Sequence, residues 1–201
     1  MARVEFFFDL VSPYSYLAQT QIRRICAGHG AELIFRPFLL GAVHNATGNI
    51  APAAVPAKAR YLLRDLRRWA KYYGVPLNFP RPFPFTTVAS MRAACWCEEQ
   101  GNLDDFVREG FDAYWVDGKG PKGTDRRDEA EPLREIARRI GADPDKLAEA
   151  AAAPEYRDAL RESTEEAVRR GAFGAPTFFV DGELFWGNDR LHFVEQALEG
   201  R

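Results

Sequence analysis

The sequence predicts an α/β fold in which a block of helices interrupts a mixed four-stranded sheet. Two observations lead to this prediction. Short apolar runs typical of strands lie towards the two ends of the chain, and the residues between them show the spacing of amphipathic helices. Without that helical block, the remaining order is β-α-β followed by α-β-β-α.

The N-terminal segment predicts a β-α-β unit. Residues 3–8, "RVEFFF", and 32–38, "ELIFRPF", have the composition of strands. Between them, Ser12 fits a helix N-cap, Pro13 fits the first helical position, and Gly28 lies at the helix end. Two strands joined by a crossover helix run parallel in a sheet.

The middle of the chain predicts a loop and then helices. The Gly-, Pro- and Ala-rich segment that starts at about residue 43 is expected to form a long loop. The polar segment 116–131 is also expected to be a loop, and the sequence indicates no role for it. Helical spacing or helix-start signals occur in "RYLLRDLRRWAKYYG", "TTVASMRAACWCEEQG", "LDDFVREGFDAYW", "PLREIARRIG" and "PDKLAEAAA".

The C-terminal segment predicts a helix, a hairpin and a last helix. Asp181 and Gly182 separate the short strands "PTFFV" and "ELFW", and such a pair is typical of a two-residue hairpin turn. This order of elements predicts a thioredoxin-like fold with an all-helical insertion. We expect residues 1–42 and 155–201 to form the thioredoxin-like domain and residues 43–154 the insertion.

Composition excludes several classes of protein. The formal net charge is −2, which does not favour a nucleic-acid or anionic-membrane partner. No signal peptide and no apolar run near the roughly 20 residues of a membrane span are visible. Cys26, Cys95 and Cys97 have no disulfide-framework spacing, and no Cys/His cluster has metal-ligand spacing. We therefore expect a cytoplasmic protein with reduced thiols and without a metal.

Residues 12–15, Ser-Pro-Tyr-Ser, lie where a redox protein of this fold carries Cys-x-x-Cys. Free N–H groups and the helix dipole favour an anion at such a helix N-terminus. A serine hydroxyl can donate a hydrogen bond to a ligand's thiolate, and glutathione is the expected ligand. The alternative is that Ser12 is only a helix cap. Because a hydroxyl has one proton, we expect the two roles to compete.

Three motifs carry a resemblance to a known family. They are "FFFDLVSPYSYLA", the pair "TGN" and "PAK", and "GAFGAPTFFVDGELFWGNDRL". Over essentially its whole length the chain resembles kappa-class glutathione transferases, and most of all their bacterial branch, the 2-hydroxychromene-2-carboxylate isomerases. Both groups are similar to DsbA-type oxidoreductases with serines in place of the cysteines. The resemblance implies an enzyme that uses glutathione on a small aromatic substrate, in naphthalene-type degradation, and a homodimer.

The resemblance also implies site residues. Ser12 matches the serine that hydrogen-bonds the glutathione sulfur, and it would be the catalytic residue. Pro176 matches a proline that is cis in thioredoxin-like folds, which would leave the Ala175 backbone facing the glutathione cysteine. The alternative for Pro176 is an ordinary proline at a strand start.

The two ends of glutathione would be held by residues from separate segments. Asn188 and Asp189 match residues at the γ-glutamyl end, and the alternative is that they cap the last helix. Asn49 and Lys58 match residues at the glycyl end, with Lys58 available to pair with its carboxylate. The alternative for Lys58 is a solvated loop lysine.

The implied activity is the glutathione-dependent isomerisation of 2-hydroxychromene-2-carboxylate to trans-o-hydroxybenzylidenepyruvate. A kappa-like transferase or peroxidase acting on another electrophile is one alternative, and a non-catalytic glutathione- or peptide-binding module is another. Several aromatic residues are expected to lie in the core, with some lining an aryl pocket: Tyr14, Tyr16, Trp69, Phe83, Phe85, Trp115 and Trp186.

Overall fold

The computed structural model describes residues 1–200, so Arg201, the last residue of the predicted C-terminal segment, lies outside the described residues. Short 3₁₀ or π-helical turns occur between the main elements. In chain order the strands and α-helices are β1 (Arg3–Phe8), α1 (Pro13–Gly28), β2 (Glu32–Pro37), α2 (Leu40–Thr47), α3 (Pro56–Tyr73), α4 (Val88–Glu99), α5 (Leu103–Phe111), α6 (Ala130–Arg139), α7 (Pro144–Ala152), α8 (Pro154–Arg169), β3 (Thr177–Val180), β4 (Glu183–Trp186) and α9 (Leu191–Glu199).

The four strands form one mixed sheet in the order β2-β1-β3-β4. β1 runs parallel to β2 and antiparallel to β3, and β3 is antiparallel to β4. The β3–β4 turn has positive φ at Asp181 (47°) and Gly182 (96°), as the hairpin prediction requires. The predicted thioredoxin-like sheet with helices inserted in it is confirmed.

The sheet separates two apolar clusters. On one face Phe6 stacks against Phe178, with ring centroids 4.7 Å apart, inside the main core that also includes residues of the helical block. On the other face Phe7 and Phe179 lie in a smaller cluster with residues of α2 and α8. Alternate residues of β1 therefore point to opposite clusters, because side chains alternate along a strand.

The prediction of a long loop from residue 43 is wrong in its first part, because residues 40–47 form α2. The helix packs Val43 into the smaller core and ends at Gly48, whose φ is 69°. The Leu39 N–H before the helix donates to Thr164 Oγ1 at 3.0 Å. Tertiary burial therefore outweighs the loop-like composition. The division into residues 1–42 with 155–201 and residues 43–154 stays a prediction.

The prediction of a loop at 116–131 is wrong in its last part, because residues 126–129 form a 3₁₀ turn and α6 begins at Ala130. The segment contains a buried acid with a structural role. Glu129 is fully buried, and its carboxylate accepts hydrogen bonds from the backbone N–H groups of Ala89 and Ser90, at 3.1 and 2.9 Å. The hydroxyls of Thr86 and Ser90 donate to the same carboxylate. These donors lie at the N-terminus of α4, where a negative charge is stabilised. The segment thus caps a helix that is distant in sequence.

Candidate functional site

Ser12 lies at the N-terminus of α1, beyond the end of β1, as the sequence predicts. Its side chain caps the helix by accepting a hydrogen bond from the Ser15 N–H at 3.1 Å. Its hydroxyl donates to the Ala175 carbonyl oxygen across a long distance of 3.4 Å. Only 3% of the residue is exposed. The site therefore brings together two residues that are 163 positions apart in the chain.

The expected competition between cap and ligand roles does not arise. The cap uses a lone pair of Ser12 Oγ as acceptor, and the proton of the same hydroxyl remains available as a donor. Its present acceptor, Ala175 O, is at the far limit of hydrogen-bond length, so exchanging it for a better acceptor costs little. One hydroxyl can cap α1 and donate to a ligand at the same time.

The Ala175–Pro176 peptide bond is cis, as the resemblance implies. The residues around it are fixed by two hydrogen bonds. The Thr177 hydroxyl donates to the Gly174 carbonyl at 2.8 Å, and the Gly187 N–H donates to the Pro176 carbonyl at 3.0 Å. Ala175 remains partly exposed beside Ser12.

Asn188 and Asp189 occupy a 3₁₀ turn directly before α9. The helix-cap alternative for both residues is wrong, since the N-cap of α9 is Arg190 and no side chain caps that helix. Asp189 is exposed and pairs with Arg190 at 2.7 Å. Asn188 is buried, and its backbone carbonyl accepts a hydrogen bond from the Tyr73 hydroxyl. Its side-chain Nδ2 has no hydrogen-bond partner within the described part of the chain.

Asn188 and Asp189 line a cavity of about 690 Å³ between α1, α3 and α9. The α3 side of this cavity carries the aromatic residues Trp69, Tyr72 and Tyr73. The lining also carries charge of both signs, so the cavity can bind a polar, zwitterionic group. The charged residues are Arg24, Asp65, Arg68, Asp189 and Glu195.

Asn49 lies near the same end of the sheet as Ala175. Its Nδ2 donates to the Phe173 carbonyl at 2.8 Å, and its Oδ1 accepts from the Ile50 N–H at 2.9 Å. Lys58 is exposed in the first turn of α3, so the expectation of a loop position for this lysine is wrong. The structure brings Ser12 into contact with Ala175, and it brings Asn49 into contact with the segment leading to Ala175.

Asp9 is a buried acid that the sequence reasoning missed. Its carboxylate accepts hydrogen bonds from the Thr87 hydroxyl and from the N–H groups of Val11 and Leu40. Burial raises the pKa of Asp9 to about 6, against the lowering effect of these hydrogen bonds. An acidic residue directly after the apolar run "FFF" was the available signal.

Tyr14 connects the first turn of α1 to α3. Its hydroxyl donates to Asp65 Oδ2 at 2.8 Å, and burial together with this carboxylate raises the pKa of Tyr14. Ser15 is fully buried, and its hydroxyl has no partner among residues 1–200. Of the other aromatic residues singled out in the sequence, Tyr16, Phe85 and Trp115 lie in the core.

The three cysteines are free and buried. Burial raises the pKa of Cys26 to about 11 and the pKa of Cys95 and Cys97 to about 12. Such thiols are poor nucleophiles at neutral pH, because the thiolate is the reactive form. Within the described residues no group of His, Cys, Asp and Glu could hold a metal ion, and none of the helices there is long and apolar enough for a membrane span.

Residues 3–199 match the family described as the DSBA-like thioredoxin domain. A 2-hydroxychromene-2-carboxylate isomerase of Sphingobium xenophagum is 36% identical over 197 residues, with 97% of both chains covered. Glutathione S-transferase kappa 1 of Caenorhabditis elegans is 29% identical over 212 residues, covering 99% of this chain and 92% of its own length. The solved structure of a 2-hydroxychromene-2-carboxylate isomerase matches with a TM-score of 0.86 at 28% identity, covering 98% of this chain and 94% of that one.

Proposed function

The chain belongs to the DSBA-like thioredoxin domain family, and we propose that it is a glutathione-dependent isomerase. The proposed reaction converts 2-hydroxychromene-2-carboxylate to trans-o-hydroxybenzylidenepyruvate. The observation that carries the proposal is the Ser12 hydroxyl, which caps α1 as an acceptor while its proton is held only by a long hydrogen bond to Ala175 O. Relatives named 2-hydroxychromene-2-carboxylate isomerase align with nearly the whole chain, and they support the choice of reaction.

The residues present fit glutathione. Ser12 would face the sulfur, and the Ala175 backbone would pair with the cysteinyl residue. Asn188 and Asp189 would hold the γ-glutamyl end, where the unpaired buried Asn188 Nδ2 is a donor in need of an acceptor. Asn49 and Lys58 would hold the glycyl end.

The proposed mechanism depends on a stabilised thiolate. When bound, glutathione would supply a thiolate for reversible addition to the conjugated double bond, and this addition would permit rotation about that bond. Ser12 would turn its hydroxyl proton from Ala175 O towards the sulfur, and the N-terminus of α1 would favour the negative charge. The chain itself contributes no redox step in this mechanism, since Ser12 and Ser15 carry no sulfur and its three cysteines are free and buried.

An enolate next to the substrate carbonyl also needs a hydrogen-bond donor. Tyr14 and Ser15 are the candidates in the first turn of α1. The Tyr14 proton is already donated to Asp65, whereas the Ser15 hydroxyl is uncommitted. Both residues therefore stay candidates for this donor, because the Ser15 hydroxyl is fully buried.

The test is the absorbance change of 2-hydroxychromene-2-carboxylate with the protein, with and without glutathione. We expect conversion only with glutathione and constant total thiol, because the thiol is returned at each turnover. Conversion that proceeds equally well without glutathione would reject the mechanism.

A second candidate is a kappa-class-like transferase or peroxidase, which the similarity to kappa-class relatives favours. Such an enzyme consumes thiol in proportion to product. A non-catalytic glutathione- or peptide-binding module would bind without either change. The same assay identifies the isomerase, and a thiol count repeated with 1-chloro-2,4-dinitrobenzene and with cumene hydroperoxide as electrophiles separates a transferase or peroxidase from a module that only binds. As parts of the proposal, we place the enzyme in the cytoplasm, as a homodimer, in the degradation of naphthalene-type compounds.

A further inference from the structure

A second cavity, of about 500 Å³, lies between α2, α4 and α8. None of the residues proposed for glutathione lines it. We call it the arginine cavity. Its apolar wall is aliphatic and consists of Leu39, Ala42, Ala46, Val88, Leu160 and Val168.

Charge of one sign dominates the lining of the arginine cavity. A single carboxylate, that of Glu165, accompanies five guanidinium groups. Guanidinium groups remain protonated under all ordinary conditions, so their mutual repulsion is permanent. The arginines are Arg92, Arg126, Arg157, Arg161 and Arg169.

The carboxylates around the cavity do not neutralise these arginines. Within the described residues, no ion pair involves Arg92 or Arg126. Arg157 and Arg161 make only long contacts of 3.3 to 3.7 Å with acids of their own helix, and those side chains are about half exposed. Exposed pairs of this kind contribute little free energy.

Arg92 is the most informative of the five because it is only partly exposed. Its Nη1 donates to the Ala151 carbonyl at 3.4 Å, a weak contact. Burial lowers the pKa of Arg92, and the charges of Arg126 and Arg157 lower it further, with only Glu129 acting in the opposite direction. This partly buried guanidinium thus has two like charges near it and makes no ion pair within the described residues.

We propose that the arginine cavity binds an organic anion of the aromatic carboxylate class. A carboxylate matches the two parallel N–H donors of a guanidinium, and it would relieve the repulsion among the arginines. The aliphatic wall would cover a ring, and the volume lies within the range of about 300 to 1,000 Å³ that small-molecule sites occupy. This inference is independent of the proposed reaction at Ser12.

The test is a fluorescence titration with the aromatic sulfonate 8-anilinonaphthalene-1-sulfonate, followed by competition with 1-naphthoate and with neutral 1-naphthalenemethanol. We expect 1-naphthoate to displace the probe and the neutral alcohol to fail at equal concentration. The double variant Arg92→Gln/Arg126→Gln should bind 1-naphthoate at least tenfold more weakly. Arg161→Glu reverses an exposed charge at the cavity and should also weaken the binding of 1-naphthoate. This variant replaces the double variant in the test if the double variant does not fold.

The matched control is Arg64→Gln/Arg67→Gln, which removes two exposed charges from α3 outside the cavity and should leave affinity unchanged. Equal displacement by the alcohol, unchanged affinity in Arg161→Glu, or an equal loss in the control would overturn the proposal. Glutathione affinity, measured by calorimetry, should be the same in all these variants. A failure at the arginine cavity is thereby distinguished from a failure of the glutathione site.

Discussion

The Thr87 hydroxyl donates a hydrogen bond to Asp9 Oδ1 at 2.6 Å, and this bond joins the loop before α1 to the start of α4. The other carboxylate oxygen of Asp9 accepts from the Leu40 N–H at the start of α2. The Asp9 carbonyl accepts from the Ser12 N–H at 2.9 Å. One buried residue thus fixes the position of Ser12 relative to two helices.

Ionisation of Asp9 should reduce stability as pH rises. The folded-state pKa of about 6 lies above the ordinary value of 3.8, so the folded chain holds this proton more tightly than the unfolded chain. The stabilising contribution is fully present below about pH 3.8 and is lost as pH rises to about 6. Relative to Asp9→Asn, the wild type should lose on the order of 3 kcal/mol over this range. Urea unfolding of both proteins at pH 4 and pH 7 measures the difference, and a constant difference would contradict the prediction.

Ser12→Ala should separate stability from activity. We expect the free energy of unfolding to fall by at most about 2 kcal/mol, the upper range for a lost helix cap. Most glutathione-dependent turnover should disappear, because the hydroxyl that would hold the thiolate is gone. Chemical denaturation and the absorbance assay give the two measurements.

The matched control for that variant is Asp143→Ala. Asp143 caps α7 by accepting from the N–H groups of Asp145 and Lys146, so the change also removes a cap. It should cost similar stability and leave turnover intact. If Ser12→Ala retains full turnover, the assigned role of Ser12 is wrong.

Asp189→Asn should weaken the binding of glutathione through its γ-glutamyl ammonium. The expected loss is about fivefold, since the carboxylate is exposed and such pairs contribute at most about 1 kcal/mol. N-acetylglutathione lacks the ammonium group, so the wild type should bind it more weakly than glutathione. The variant should show a smaller difference in affinity between these two ligands. Calorimetry measures both ligands. Asp145→Asn, which removes another exposed carboxylate from an arginine pair, is the control and should behave as wild type.

Lys58→Gln should remove a preference for the free glycyl carboxylate. We expect the wild type to bind glutathione about two- to fivefold more tightly than its glycyl monoethyl ester, and the variant to bind both equally. Lys71→Gln changes an exposed lysine at the other end of α3 and should keep the preference. A wild type that does not distinguish the two ligands would return Lys58 to the role of a solvated lysine.

Much of the fold could be predicted where local chemistry decides it. The Ser12 cap, the Pro13 helix start and the Asp181-Gly182 turn are all observed where the sequence places them. Each depends on backbone conformation over a few residues, which side-chain type controls directly. α2 was missed because eight residues rich in small side chains gain their stability from packing Val43 against distant elements.

The sequence by itself determined the order of elements, the serine at the start of α1 and the family to which the motifs point. Tertiary structure decided which distant groups meet: Ser12 with Ala175, Asp9 with Thr87, and Glu129 with the start of α4. The same holds for the five arginines around one cavity. Local signals act through backbone geometry over a few residues, whereas these contacts depend on where the packed sheet and helices bring separate segments together.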